Sequence, residues 1–280
     1  MAVSERKLTM SMIVKRLISA VVLTMVVSIA LFHEMLFNSV MIFLTVIGLN
    51  EFFGMLERKG ISIYKYFGIG LGMMIPLSIM LRFELTRKWE LLFVVLALLF
   101  LIILQFKRRE SSGAIVGIST TIFGVIYVSW FFSFLIKIRQ LPDGIWLVAG
   151  VLIITKMGDI GAFLLGSVFG KTPLIPRISP KKSVEGSLGG LMFSVFASLA
   201  CKPFLPLSDL HLVCLGIAVG ILGQLGDLSE SLIKRDCQIK DSASLIPGMG
   251  GVLDIIDSLL FTVPVYYFYI KTLFNYLDVS

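Results

Sequence analysis

About nine long apolar stretches, separated by short polar clusters, account for most of this 280-residue chain. A helix needs roughly 20 apolar residues to cross the hydrocarbon core of a bilayer. Stretches of that order fall at 17–33, 35–56, 63–82, 89–106, 113–136, 145–170, 187–206, 211–233 and 252–273. The breaks are abrupt. Lys107-Arg108-Arg109-Glu110 closes the fourth stretch, and only His33 and Glu34 separate the first two, which predicts a tight helical hairpin. The pattern predicts an all-α, polytopic integral membrane protein of about nine transmembrane helices. The first apolar run follows a cationic segment, lacks a small-residue cleavage site and is followed by further spans, so it is expected to stay as an anchor.

Composition sharpens this picture. Hydrophobic residues make up 57% of the chain and charged residues 15%, against about 25% charged in soluble domains. A soluble core of this size cannot hide so much apolar surface. The formal charge of +7 is scattered between apolar spans, which argues against nucleic acid and for anionic lipid or an anionic substrate. With the N-terminus inside, Arg6, Lys7, Lys15, Arg16, Arg58, Lys59, Lys107, Arg108, Arg109, Lys171, Arg177, Lys181, Lys182, Lys234, Arg235 and Lys240 all face the cytoplasm. They outnumber Arg82, Arg87, Lys88, Lys137, Arg139, Lys202 and Lys271 on the other side. The asymmetry predicts N-in, C-out in the cell membrane, with the polar loops of the second half cytoplasmic. Two histidines, His33 and His211, argue against a zinc site of the HExxH type and against a Ser-His-Asp triad. Cys201, Cys214 and Cys237 show no CxxC spacing and read as packing thiols.

The halves differ. Residues 1–140 read as a scaffold of plain transmembrane helices whose apolar faces offer contacts for a homodimer. Its embedded acid, Glu51, has no assignable role beyond packing or a polar network. Residues 141–280 carry Asp, Glu, Gly and Lys at close intervals and read as the catalytic region.

Charged groups at membrane depth are costly, so each is a functional candidate. Lys156 and Asp159 share a helix face, either as a local ion pair or as part of a polar pocket. Gly166-Ser167-Val168-Phe169-Gly170-Lys171-Thr172 imitates a phosphate-binding P-loop but is one residue short and follows a membrane helix, not a strand; the loop at Gly170 and Lys171 is still expected near phosphate. Ser179-Pro180-Lys181-Lys182, followed by Glu185, reads either as positive-inside anchoring or as a phosphate site restricted by its prolines. The last cluster is the most specific. Asp227 and Ser231 lie near the end of the eighth span, followed by Lys234, Arg235, Lys240 and Asp241. The turn Pro247-Gly248-Met249-Gly250-Gly251 then leads into Asp254 and Asp257, which share one face of the ninth helix. Three carboxylates, Asp227, Asp254 and Asp257, make a hard, oxygen-rich site suited to Mg²⁺. Gly250 and Gly251 permit close backbone approach to a ligand. The stripe Gly216, Gly220, Gly223 and Gly226 suits tight helix contact.

Ser231, Lys234-Arg235, Lys240-Asp241-Ser242, Pro247-Gly248, Gly250-Gly251, Asp254 and Asp257-Ser258 together resemble the signature of phosphatidate cytidylyltransferases, also called CDP-diacylglycerol synthases. The run from Asp159 through Lys171 to Ser179, Lys181, Lys182, Ser183 and Glu185-Gly186 resembles a second region of that family. Met249 stands where the family usually has His, and Ile255 where it has Arg. The resemblance implies a Mg²⁺-dependent reaction of CTP with phosphatidic acid that yields CDP-diacylglycerol and pyrophosphate, with a second cation as a further expectation. It implies that Asp227, Asp254 and Asp257 hold the metal. Lys181, Lys182, Lys234, Arg235 and Lys240 would hold phosphates, Lys240 among the catalytic set, and Asp159 would line the same pocket. Two other readings stay open. A CTP-dependent polyprenol kinase would release CDP in place of pyrophosphate. An ion-coupled transporter would use Lys156 and Asp159, though the halves show no repeat.

Overall fold

A computed structural model describes residues 2–83, 89–106, 112–205, 207–243, 245–248 and 250–277. Of the positions singled out above, Arg87, Lys88, Met249 and the cluster 107–110 lie outside them, as do the side chains of Arg6, Lys7, Lys15 and Arg16. The chain is helical nearly throughout. In order come α1 (Ala2–Phe32), α2 (Glu34–Arg58), α3 (Lys65–Met80), α4 (Trp89–Phe106), α5 (Ala114–Gly124), a π-helical segment (Val125–Trp130) and α6 (Phe131–Arg139). Then follow α7 (Gly144–Phe169), a short antiparallel hairpin of β1 (Pro173–Ile175) and β2 (Ser179–Ser183), α8 (Val184–Ala200), α9 (Asp209–Asp236) and α10 (Leu253–Leu277).

Each stretch expected from hydropathy coincides with a helix, the fifth with the continuous run α5–π–α6. Their lengths differ. Among the described residues five helices are long and apolar enough to cross a membrane: Glu34–Arg58, Ala114–Arg139, Gly144–Phe169, Asp209–Asp236 and Leu253–Leu273. Ile18–Phe32, Lys65–Met80, Leu92–Phe106 and Val184–Ala200 are shorter apolar helices. Punctuation ends the last of these: Cys201 caps α8, and Pro203 lies too close behind it for the helix to continue.

The helices show the lipid side directly. On α8, Leu188, Met192 and Phe196 recur every four residues and are each more than half exposed, while Gly186, Gly189, Gly190, Ser194 and Ala197 are buried on the opposite face. An exposed apolar stripe of this kind is stable in lipid and not in water. The molecule is an integral membrane protein.

The chain divides into two compact units. The first comprises Met1–Trp130 and Cys237–Ile255. Its α2 buries Phe37, Leu49, Phe52 and Phe53 completely. The second comprises Phe131–Asp236 and Ile256–Ser280. There α7, α8 and α9 pack along small residues: a Cβ at Gly161 would lie 2.4 Å from the Phe193 ring, and one at Gly216 would lie 2.6 Å from the Val195 backbone. Backbones that approach so closely maximise van der Waals contact where lipid removes the hydrophobic drive between helices.

Candidate functional site

In the second unit, Gly226 decides the geometry. A Cβ there would stand 2.4 Å from the carbonyl oxygen of Asp257, so only glycine lets α9 meet α10 at this level. The residue after Gly226 is Asp227, and the carbonyl it meets belongs to Asp257. The close approach therefore delivers two carboxylates to one place, and the charges of Asp227, Asp159 and Lys156 all bear on Asp257. The glycine stripe read from the sequence is thus packing that positions chemistry.

The neighbours form a connected polar network. Lys156 Nζ lies 3.0 Å from Asp159 Oδ2 and donates to Ser258 Oγ at 3.1 Å. Ser258 Oγ in turn lies 3.1 Å from Asp159 Oδ2. Lys156 and Asp159 are therefore a local ion pair and, through Ser258, members of the Asp257 neighbourhood. Lys182 on β2 reaches Asp227 Oδ2 at 2.5 Å, whereas Lys181, next along the strand, is exposed. Alternation along a strand sends the two lysines to opposite faces. Asp257 is buried and Ser258 fully so. A buried charge persists only when it is paired and hydrogen-bonded, which this mixed set of two lysines and three aspartates provides.

Around this core, Glu230 is fully buried and pairs with Lys234 one turn on. Arg235 donates from Nε to the Ile178 carbonyl at 3.2 Å, tying α9 to the hairpin. Ser179 and Ser231 are half-buried.

Glu185 bonds to main-chain amides of the preceding loop. Its carboxylate accepts from its own backbone N–H and from those of Lys171 and Thr172, the latter two at 3.1–3.2 Å. These amides hold its pKa well below the usual 4.5, at about 2. The segment that imitates a P-loop therefore has its Lys171 and Thr172 amides turned onto the protein's own carboxylate. Ser183 caps α8 by accepting from Gly186 N at 3.1 Å, which puts Glu185 in the first turn where it reaches back to this loop.

The first unit holds the remaining predicted residues. Lys240 and Asp241 are exposed. Ile246 and Gly250 pair backbone to backbone, closing a turn in which Gly248 and Gly250 take φ of 80° and 95°, values that suit glycine. Asp254 Oδ2 accepts from Gly251 N at 2.7 Å, Ser242 Oγ at 2.9 Å and Ser242 N at 3.2 Å. Among the described residues no three His, Cys, Asp or Glu side chains gather at metal-binding spacing.

Sequence reasoning missed two contributors. Ser258 entered it only as part of a motif, yet it links Lys156 to Asp159. Glu51 reads from the sequence only as packing or part of a polar network, and it accepts from Val252 N at 2.9 Å, Leu253 N at 2.8 Å and Ser242 Oγ at 3.1 Å. Its burial in an apolar helix was the available signal; its partners, about 200 residues away, left none.

Apolar helices that bring aspartates and lysines together along glycine seams make this a membrane protein with a charged polar cluster. The chain belongs to the cytidylyltransferase family, whose profile it matches over residues 14–273, and it is a nucleotidyltransferase. It is similar to a phosphatidate cytidylyltransferase of Synechocystis, 32% identical over 94% of this chain and 98% of that protein. It is also similar to one of Bacillus subtilis, 37% identical over 51% of this chain and 54% of that one. An uncharacterized protein of Escherichia coli, YnbB, is 39% identical over 54% of this chain. The aligned part spans about half the length of the E. coli and B. subtilis relatives.

Proposed function

We infer that this chain transfers the cytidylyl group of CTP to phosphatidic acid, giving CDP-diacylglycerol and pyrophosphate. What supports the reading is similarity to a phosphatidate cytidylyltransferase along nearly the whole chain, together with the Asp227–Asp257 neighbourhood. A phosphate oxygen of phosphatidic acid attacks the α-phosphorus of CTP, the bond from that phosphorus to the β-phosphate bridge breaks, and pyrophosphate leaves. The nucleophile is already an anion and no proton has to be removed, so the scarcity of histidine is no obstacle. The demand is to align two polyanions and offset their charge.

Lys182 is the nearest cation for that task, and it exchanges Asp227 for a phosphate oxygen when substrate enters. Lys156, held by Asp159 and Ser258, keeps a second positive charge beside Asp257. Lys181, Lys234, Arg235 and Lys240 extend the positive surface for triphosphate and headgroup. Asp227 and Asp257 fit Mg²⁺ as hard oxygen donors, since that ion usually takes one or two carboxylates together with substrate phosphates. Bound there, Mg²⁺ would offset phosphate charge. Asp254 carries the motif's third carboxylate, and its own substitution tests it. The site faces the cytoplasm, where CTP is found, and the acyl chains stay in the bilayer. Copies of the chain pair through plain apolar faces, because the glycine seams are used inside the second unit.

The decisive experiment incubates purified protein with labelled CTP, phosphatidic acid and Mg²⁺ and identifies the products. CDP-diacylglycerol with pyrophosphate is expected. CDP with a phosphorylated lipid would replace this reading by a kinase, and flux without nucleotide turnover would replace it by a transporter.

A further inference from the structure

Glu51 sits deep in α2, 6% exposed, in a half of the chain that reads as scaffold. A buried carboxylate is expensive unless it is hydrogen-bonded. Glu51 meets that condition in an unusual place. Oε1 takes the N–H of Val252, and Oε2 takes the N–H of Leu253 and approaches the hydroxyl of Ser242. The first N–H groups of a helix have no partner inside it. Here α10 begins at Leu253, and two of the amides at its start are satisfied by a side chain from α2.

Asp254 works on the same few atoms from the other side. It takes the Gly251 N–H and shares Ser242 with Glu51. Ser242 Oγ has one proton to give, so it lies between two carboxylates and can satisfy one at a time. The fit leaves no slack: a Cβ on Gly251 would fall 2.1 Å from Ser242 Oγ and 2.4 Å from Glu51 Oε2. A side chain on Gly251 would therefore displace the clamp. α1 adds a further hold, since Ser19 Oγ donates to the Pro247 carbonyl at 3.0 Å.

We propose that Glu51 is a positioning residue for cytidylyl transfer, fixing the start of α10 and hence the placement of the aspartates in its first turns. The proposal rests on the reaction assigned above, and it makes the N-terminal helices part of the machinery. Glu51→Ala removes both acceptors, whereas Glu51→Gln keeps the size and one acceptor oxygen. In purified, folded protein, Glu51→Ala lowers kcat by about 10- to 100-fold, the effect typical of a support behind a reacting group, with kcat/KM falling in parallel and KM for CTP unchanged. Glu51→Gln recovers part of the loss. Amide hydrogen exchange over 250–256 accelerates in both variants.

A cap that merely stabilises would lower the melting temperature and leave kcat per folded molecule at the wild-type value, and that result overturns the proposal. Unchanged exchange at Val252 and Leu253 overturns it as well. If Glu51→Ala does not fold, the isosteric Glu51→Gln decides by the same readouts. Wild-type protein that makes no CDP-diacylglycerol would instead sink the assigned reaction, and the exchange measurement would still test the clamp.

Discussion

The backbone contact at Gly226 brings Asp227 and Asp257, the metal-binding pair of the proposed function, into one neighbourhood. Asp227→Asn or Asp257→Asn is expected to lower the rate of CDP-diacylglycerol formation at least about 100-fold while the protein still inserts and folds, as product analysis and gel filtration would show. Asp254→Asn is a finer probe. Asparagine keeps an oxygen for Gly251 and Ser242 but carries no charge; loss of synthesis is expected, and full activity would confine Asp254 to the turn. Glu185 offers a pH test. Its carboxyl is depressed from 4.5 to about 2, so its hold on Lys171 and Thr172 is complete above pH 4.5 and is lost as pH falls toward about 2. Exchange of these two amides, corrected for intrinsic rates, should therefore stay protected from pH 5 upward and lose protection in acid, and Glu185→Gln should weaken it at every pH. The sequence listed Glu185 beside lysines, where it looked like part of a phosphate site. Only the fold shows that its partners are main-chain amides, a kind of bond that no residue type announces.

At the level of elements, the close approach of α9 and α10 at Gly226 positions the candidate site. Gly226→Ala puts a methyl group 2.4 Å from a backbone oxygen, which the helices can admit only by separating. Overpacking of this sort costs about 1–3 kcal/mol. The variant should show a lower melting temperature in detergent and reduced turnover, and unchanged values of both would mean that the seam is looser than described. The helices themselves were readable from hydropathy, since lipid demands long apolar segments with internally satisfied backbones. The Gly216, Gly220, Gly223 and Gly226 stripe was readable too, as a contact face. Among the described residues five helices reach spanning length, and Ile18–Phe32, α3, Leu92–Phe106 and α8 are shorter apolar helices. The hairpin β1–β2 was hidden, since a run rich in Pro and Lys has no period-two apolar pattern.

For the whole molecule, sidedness is the property to test. If the Lys181–Lys182 hairpin faces the cytoplasm, a cysteine placed at Lys181, which is exposed, should react with an impermeant maleimide in inside-out vesicles and resist it in right-side-out ones; the opposite pattern would reverse the topology. The amino-acid order was enough to establish a helical membrane protein, the chemical character of its polar half and its family motifs, because apolar run length and local spacing are properties of neighbouring residues. Which charges meet depended on the folded chain. Lys182 on Asp227, Ser258 between Lys156 and Asp159, Glu185 on a loop amide pair and Glu51 at the start of α10 are contacts over 13 to 202 positions. Such contacts arise from helix packing that closes long loops, and no local pattern in the sequence encodes the partner.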